Sequence, residues 1–375
     1  MTMLHRAPRG RGFSYYRLPR GLQNKNCVTS VVLPKQHSNR CCSRLLLRRD
    51  RRSERLEIEW IESLAIPPAW REVVISNERE SKIYAIGRDN KGRRQYRYNP
   101  SFVQAKQLEK FDRLTAFASQ LSVMRELGEK HLSDDGFSRR KVLACMVRLL
   151  DCAYFRPGND RYTKENDTFG LTTLRSRHLD EEKGEILFRY IGKSGKQQQR
   201  RVDDPELIHF VKELDDLPGY RLFQYYDDEG KQNATVDELN SYIAKHMGEA
   251  FSAKDFRTWA GTSLAAQELD HLVENKARLS SAQRKKLIGQ AVAKVADALG
   301  NTPATARSSY IDPRVFSSFD KGITLRHFLP TKTRREIGYL KGKGMRKNSS
   351  NIRGLSKKEA AVLHLLEAND LELGA

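Results

Sequence analysis

The sequence predicts an α+β protein: a small β-rich N-terminal domain, then a larger, mostly α-helical domain that contains a three-stranded antiparallel sheet. Three observations predict it. Between Ile58 and Tyr98, short β-branched and aromatic runs alternate with turn residues. After Pro100, apolar residues recur at helical spacing, and from Thr172 to Val202 the period returns to that of strands before helices resume.

Taken in order, residues 1–55 carry 14 Lys and Arg against 2 acidic residues and show no sustained apolar period, so a basic disordered arm is expected. A nucleic-acid-binding arm, an Arg-rich organelle transit peptide and translation from a start codon placed too far upstream all fit its composition. Residues 56–100 form the β-rich domain. Its strands are Glu72–Ile75, Lys82–Ile86 and Gln95–Tyr98, separated by Pro67-Pro68, Gly87 and Asn90-Lys91-Gly92. Residues 101–330 form the larger domain. Leu108, Phe111, Leu114, Phe117, Leu121 and Met124 place one long helix over 102–132, and Arg139–Tyr154 reads as a second. Strands follow near Thr172–Leu179, Glu185–Ile191 and Gln197–Val202, with turns at Glu182-Lys183-Gly184 and Ser194-Gly195. Helices then occupy Pro205–Leu214, Val236–Phe251, Phe256–Leu269 and Ala282–Leu299. Residues 331–375 read as a basic linker and a short terminal helix, loosely attached, which Ser356-Lys357-Lys358-Glu359 opens as a capping box.

The formal net charge is +21, yet +12 of it lies in residues 1–55. The remaining chain still holds 54 basic and 45 acidic groups, a balance that favours a polyanionic partner. With 38% hydrophobic residues the chain can bury real cores, and no run approaches the ~20 apolar residues of a membrane span. Cys27, Cys41, Cys42, Cys145 and Cys152 have neither paired metal spacing nor a disulfide framework, so a reducing, cytoplasmic setting is expected. Cys145 and Cys152, seven apart on a helical stretch, read as buried structural thiols. His178 and His209 read as structural too. There is no Gly-x4-Gly-Lys-Ser/Thr loop, no His-Glu-x-x-His and no Cys-x-x-Cys, so no nucleotide or metal cofactor is expected.

Two groups of residues carry chemistry. The strand around Arg93, Arg94, Gln95, Tyr96 and Tyr98 offers cations for phosphates, with an amide and aromatics for bases or sugars, although an edge strand with charged flanks has the same composition. The second group is scattered. Arg156 sits in Phe155-Arg156-Pro157-Gly158, followed by Asp160-Arg161-Tyr162-Thr163-Lys164-Glu165-Asn166 and Gly170-Leu171-Thr172-Thr173-Leu174. Lys193 ends Tyr190-Ile191-Gly192-Lys193, Arg257 lies in Lys254-Asp255-Phe256-Arg257-Thr258-Trp259, and Tyr310 closes the run from Leu299-Gly300-Asn301. Singly each is ordinary: Arg156 could complement a helix dipole, Lys193 a solvated turn, Arg257 a salt bridge, Tyr310 a core. Together they suit phosphodiester chemistry, in which arginine matches the non-bridging oxygens, lysine can donate a proton and tyrosine can attack covalently.

In order and wording these segments resemble the small, poxvirus-type branch of the type IB DNA topoisomerases, which includes bacterial members. The resemblance implies a protein that clamps duplex DNA as a monomer and relaxes supercoils without ATP or metal. It further implies that Tyr310 attacks one strand to give a 3′-phosphotyrosyl bond, that Arg156 and Arg257 hold the phosphate, and that Lys193 protonates the leaving 5′ oxygen. Gly158, Tyr162, Lys164 and Lys254 match family positions near the phosphate or flanking backbone, and residues 93–98 match a strand that enters the major groove. One position departs from the poxviral pattern: Asn301 stands where those enzymes carry histidine. An amide can donate a hydrogen bond there but cannot shuttle a proton. A tyrosine recombinase would share the fold core and nucleophile. Against it stand Lys254 in place of the recombinase histidine, the β character of 56–98 and the Phe-Arg-x-Gly wording. A non-catalytic DNA-binding protein is disfavoured by the match at every catalytic position except Asn301.

Overall fold

The computed structural model describes residues 59–76, 78–273, 279–329 and 354–369 in full, and the backbone alone of 4–9, 12–17 and 370–373. The chain divides into two compact units, Met1–Lys110 and Phe111–Ala375.

The first unit is built on a five-stranded antiparallel sheet of order β2-β1-β3-β4-β5, from β1 (Leu4–Arg9), β2 (Gly12–Arg17), β3 (Arg71–Ile75), β4 (Ile83–Arg88) and β5 (Arg94–Tyr98). The last three strands stand where the β-branched runs predict them. The β1–β2 hairpin lies inside the segment expected to be disordered, and it pairs with β3 at Leu4↔Ile75, His5↔Val74 and Arg6↔Val73. His5-Arg6-Ala7-Pro8 gives no apolar alternation; pairing against β3 supplies the order that local sequence does not. Residues 18–58 lie outside the described residues. Ile61, Leu64, Ile66, Val73, Ile75 and Ala85 form the core, with Trp60 meeting Tyr84 edge to face at 5.6 Å.

The second unit begins in the last residues of helix α1 (Pro100–Asp112), and the single long helix expected over 102–132 breaks at Arg113. Arg113 leaves helical geometry and reaches Asp255 at 3.3 Å, and α2 (Leu114–Leu132) starts afresh. Then come α3 (Arg139–Ala153), α4 (Asp160–Asn166), β6 (Leu179–Glu182), β7 (Glu185–Ile191), β8 (Gln197–Val202), α5 (Pro205–Asp215), β9 (Gln224–Asp227) and β10 (Gly230–Asn233). They are followed by α6 (Val236–Met247), α7 (Ala253–Leu272), α8 (Ser281–Leu299), α9 (Pro303–Ser309), α10 (Pro313–Asp320) and α11 (Lys357–Leu373). The helix starts are written in capping residues. Asp204 accepts from the first-turn amides of α5 ahead of Pro205, Thr235 and Glu238 form a capping box on α6, and Ser280 with Gln283 does so on α8.

The expected three-stranded sheet is present, in the order β6-β7-β8. Its first strand is displaced from the expected Thr172–Leu179, sharing only Leu179 with it: 171–173 and 176–178 are 3-10 turns, the first held where Leu171 N and Thr172 N bond back to Arg156 O and Pro157 O at 2.8 Å. The β9–β10 hairpin was not expected, and α6 stops at Met247, where Gly248 takes a φ of +112°. Cys145 is buried, but Cys152 is exposed, since Arg148 one turn earlier carries that flank to Asp204 and Glu206.

One core spans the unit, and α7 is buried continuously from Asp255 to Ser263, the environment of a central helix. The terminal helix belongs to this core. α11 lies across α2, α7 and α10, with Ala361, Val362, Leu363, Leu365 and Leu366 buried. Burying each of these leucines and the valine contributes roughly 1.5–3 kcal/mol before entropy. Arg125 on α2 ties the helix down, donating to both Glu359 oxygens (2.8 and 3.1 Å) and to Asp151 (2.7 Å). The helix is therefore not loosely attached; residues 330–353 before it lie outside the described residues.

Candidate active site

Helix α3 ends at Tyr154, whose left-handed backbone (φ +58°) turns the chain outward so that Phe155 is buried and Arg156 emerges half-buried. Next to it, Gly158 and Gly170 pack backbone to backbone: a Cβ on Gly170 would lie 2.5 Å from Gly158 Cα. Any side chain there would push the Arg156 loop off the Gly170–Thr173 turn, which explains why both words carry glycine.

Arg257 projects from the second turn of α7 and is 2% exposed. Its Nη2 donates to Leu299 O at 2.8 Å and its Nη1 to Tyr154 O. Its guanidinium carbon lies 5.0 Å from the Tyr310 ring centroid. Tyr310 itself caps the C-terminus of α9, a helix opened by Thr302 and Pro303. The backbone of Tyr310 rests directly on α7: a Cβ on Gly261 would stand 2.5 Å from Tyr310 O, and Thr262 Oγ1 donates to that same oxygen at 3.4 Å. One helix thus carries both the buried arginine and the seat of the tyrosine.

Asn301 follows the left-handed cap of α8 at Gly300, its amide bonded to Ala296 O at 2.8 Å. Arg156 Nη2 donates to Asn301 Oδ1 and, at 3.3 Å, to Gly300 O. A guanidinium only donates, so the Asn301 carbonyl must face Arg156. That fixes the amide nitrogen on the other side, where Nδ2 is buried with no hydrogen-bond partner.

Lys193 occupies the turn between β7 and β8, which Gly192 N closes on Lys196 O at 2.8 Å and in which Ser194 takes a φ of +66°. It is exposed. Neither Arg156, Arg257 nor Lys193 forms an ion pair among the described residues. Their field acts on Tyr310: burial would raise its phenol, but Arg257, Arg156 and Lys193 together hold it below its ordinary value. Burial pulls Arg257 down to about 10, which leaves it charged at neutral pH. The structure therefore brings Arg156, Lys193, Arg257, Asn301 and Tyr310 together around a cationic, uncompensated site suited to a phosphate.

Comparison with known proteins identifies relatives of this chain. Residues 99–324 match the family model described as eukaryotic DNA topoisomerase I, catalytic core, and residues 48–89 match that of the bacterial DNA topoisomerase IB N-terminal domain. DNA topoisomerase 1B of Acanthamoeba polyphaga mimivirus is 33% identical over 262 residues, covering 68% of this chain and 77% of its own. The chain belongs to the type IB DNA topoisomerases. DNA topoisomerase 1B of vaccinia virus (strain Copenhagen) is 25% identical over 263 residues, 68% of this chain and 79% of its own. DNA topoisomerase 1 of Schizosaccharomyces pombe is 25% identical over 170 residues, which is 45% of this chain and 20% of that one.

In this topoisomerase the other expected contacts fall into two sets. Tyr162 and Lys164 are exposed on α4 and Lys254 is exposed in the first turn of α7, while Gly158, with φ +90°, shapes the Arg156 loop. In the first unit, Arg94, Tyr96 and Tyr98 occupy alternate positions on the edge strand β5, all exposed, with the two tyrosine rings stacked at 5.8 Å. Arg93 and Gln95 are instead engaged by Asp89, at 2.6 and 2.9 Å. The Arg93 hydrogen bond, with backbone amides, holds the Asp89 carboxyl down at about 2. His178 is structural as expected: its Nδ1 accepts from Arg175 N at 3.1 Å, and burial lowers it to about 4. One residue beside the site escaped the sequence reading. Arg200 on β8 is 9% exposed and donates to Ala298 O at 2.9 Å, beside the carbonyls that Arg257 and Arg156 take.

Proposed function

We propose that Tyr310 is the nucleophile of a DNA strand-cleaving site in which Arg156, Arg257 and Asn301 hold the scissile phosphate and Lys193 is the proton donor. As a type IB topoisomerase, the enzyme relaxes supercoiled duplex DNA by transient cleavage of one strand, rotation and religation. The Tyr310 phenolic oxygen, its proton lost to solvent, bonds to phosphorus while the bond from phosphorus to the 5′ oxygen breaks. Lys193 supplies the proton that converts the departing oxygen to a 5′-hydroxyl. Arg156 and Arg257 stabilise the charge that builds on the non-bridging oxygens, and Asn301 adds one amide hydrogen bond. Reversal of the same steps reseals the strand, so bond energy is conserved in the phosphotyrosine and no ATP is consumed.

The observation that carries this reading is the convergence of four residues from separate elements around one tyrosine, with three cations lacking carboxylate partners among the described residues. We further propose that the protein acts as a monomeric clamp on duplex DNA in the nucleoid, with Arg94, Tyr96 and Tyr98 contacting the duplex from the first unit. The test is incubation with negatively supercoiled plasmid in EDTA without ATP. Relaxation and a covalent adduct, both lost in Tyr310→Phe, are the expected result; an inert wild-type protein with no adduct refutes the proposal.

A further inference from the structure

Four successive residues at the end of α8 accept hydrogen bonds from three arginines. Arg200 Nη1 donates to Ala298 O (2.9 Å), Arg257 Nη2 to Leu299 O (2.8 Å), and Arg156 Nη2 to Gly300 O (3.3 Å) and Asn301 Oδ1. The final carbonyls of a helix have no partner inside it and carry the negative end of its dipole, so this is a natural seat for guanidinium groups. Two of the three arginines belong to the phosphate site. Arg200 does not: it points inward from β8, opposite Phe188 in the register, and its Nη2 donates to Gln198 Oε1 at 3.0 Å.

Gln198 is itself buried and lies under the turn that carries Lys193. A Cβ on Gly192, the residue before that lysine, would stand 2.6 Å from Gln198 Cγ. The contacts therefore run without a gap from the end of α8 through Arg200 and Gln198 to Gly192. The hairpin holds Lys193 itself only by its backbone turn, because that side chain is exposed and has no ion pair among the described residues.

We propose that Arg200 is a positioning residue that locks the hairpin bearing Lys193 to the end of α8 bearing Asn301, and so sets the proton donor against the phosphate clamp. It touches neither the phosphate nor the leaving oxygen. The inference rests on Lys193 being the proton donor, and the experiment separates the two ideas.

The measurement is single-turnover cleavage by the full-length enzyme on a duplex whose scissile 5′ bridging atom is oxygen or sulfur. A thiolate leaves without a proton, so a defect in proton donation disappears with sulfur, whereas a defect in holding the phosphate persists. Arg200→Met is expected to slow the oxygen substrate on the order of 10²-fold, the scale of an approximately 1 Å misplacement, and the sulfur substrate less than about threefold. Lys193→Ala should show the same pattern. Gln198→Leu leaves Arg200 and its bond to Ala298 O in place and keeps a Cγ under Gly192, but removes the acceptor that joins Arg200 to the turn; it should reproduce the pattern more weakly, and it decides the matter if Arg200→Met fails to fold. Equal slowing of both substrates by Arg200→Met, or no slowing of either, overturns the proposal. If Lys193→Ala is restored by sulfur and Arg200→Met is not, the positioning role alone falls; if Lys193→Ala is not restored, both readings fall.

Discussion

Replacing Asn301 by alanine tests the site where this chain departs from the poxviral pattern. Arg156 fixes the amide by donating to its carbonyl, which leaves Nδ2 buried and unpartnered. A phosphate oxygen arriving at Nδ2 therefore gains a hydrogen bond without displacing one. A hydrogen bond to a charged group is worth roughly 1.5–3 kcal/mol, which at 1.36 kcal/mol per decade corresponds to about a 10- to 150-fold loss of cleavage rate. The loss should stop there, because Arg156 keeps Gly300 O as an acceptor at 3.3 Å and stays in place. Asn301→Asp should do worse than alanine, since it sets an anion beside the phosphate. Asn301→His should be active and add a pH-dependent limb, falling as the imidazole deprotonates, that the wild-type amide cannot produce. The assay is single-turnover covalent adduct formation on a short duplex across pH 5–9. Less than threefold slowing in Asn301→Ala, with the melting temperature unchanged, would refute the assignment of Nδ2 to the phosphate.

The remaining predictions concern the frame around the site. Glu359→Gln should destabilise the second unit by about 2–3 kcal/mol, because Arg125 holds this carboxyl at about 2 against an ordinary value of 4.5, despite burial that would raise it. For a unit of this size that is a fall of roughly 5–10 °C in Tm, read by thermal melting; a change under about 1 °C would refute it. The sign follows from the depressed folded-state value: the stabilisation is fully present above about 4.5 and is lost as pH falls toward 2, so mutant and wild type should converge in acid. Gly261→Ala should abolish or strongly slow cleavage, on the order of 10²-fold, with the fold retained, since the new Cβ would meet Tyr310 O at 2.5 Å and shift the nucleophile. Wild-type cleavage rates in that mutant would show that α7 does not seat the tyrosine.

How much was legible in the sequence depended on whether the deciding interaction was local. The ends of α8 were legible because Ser280, Gln283 and Gly300 state them within one turn, and the turn holding Lys193 because Ser194-Gly195 favours positive φ. The seating of α11 was not. Its anchors Arg125 and Asp151 lie 234 and 208 positions before Glu359, and no periodicity within the helix names them. Thr172 to Leu179 read as a strand because threonine and leucine suit one; the Arg156 loop instead captures its first amides and coils it into 3-10 turns. Arg200 was hidden for a different reason. In Gln197-Gln198-Gln199-Arg200-Arg201-Val202 the alternation of buried and exposed positions is regular, but Gln198 and Arg200 occupy the inward face, so no apolar pattern marks it.

That inward-facing arginine bears on how cations can gather at the proposed phosphate site. Arg257 and Arg200 are nearly buried cations without carboxylate partners among the described residues, an arrangement that ordinarily costs several kcal/mol per charge. A carboxylate would relieve that cost but would have to be displaced, or would repel the substrate, when DNA binds. The end of α8 offers a third solution. Its carbonyls are neutral, already short of donors and oriented by the helix, so they satisfy several guanidinium N–H groups while leaving the net positive charge intact. The guanidinium has five N–H groups, so Arg156 and Arg257 can hold these carbonyls and still present others to a phosphate. Placing Asn301 directly after those carbonyls lets one segment both restrain the arginines and contribute its own donor. On the proposed reading the clamp is thus assembled in advance, and a binding phosphate would meet fixed donors with no ion pair to break among the described residues.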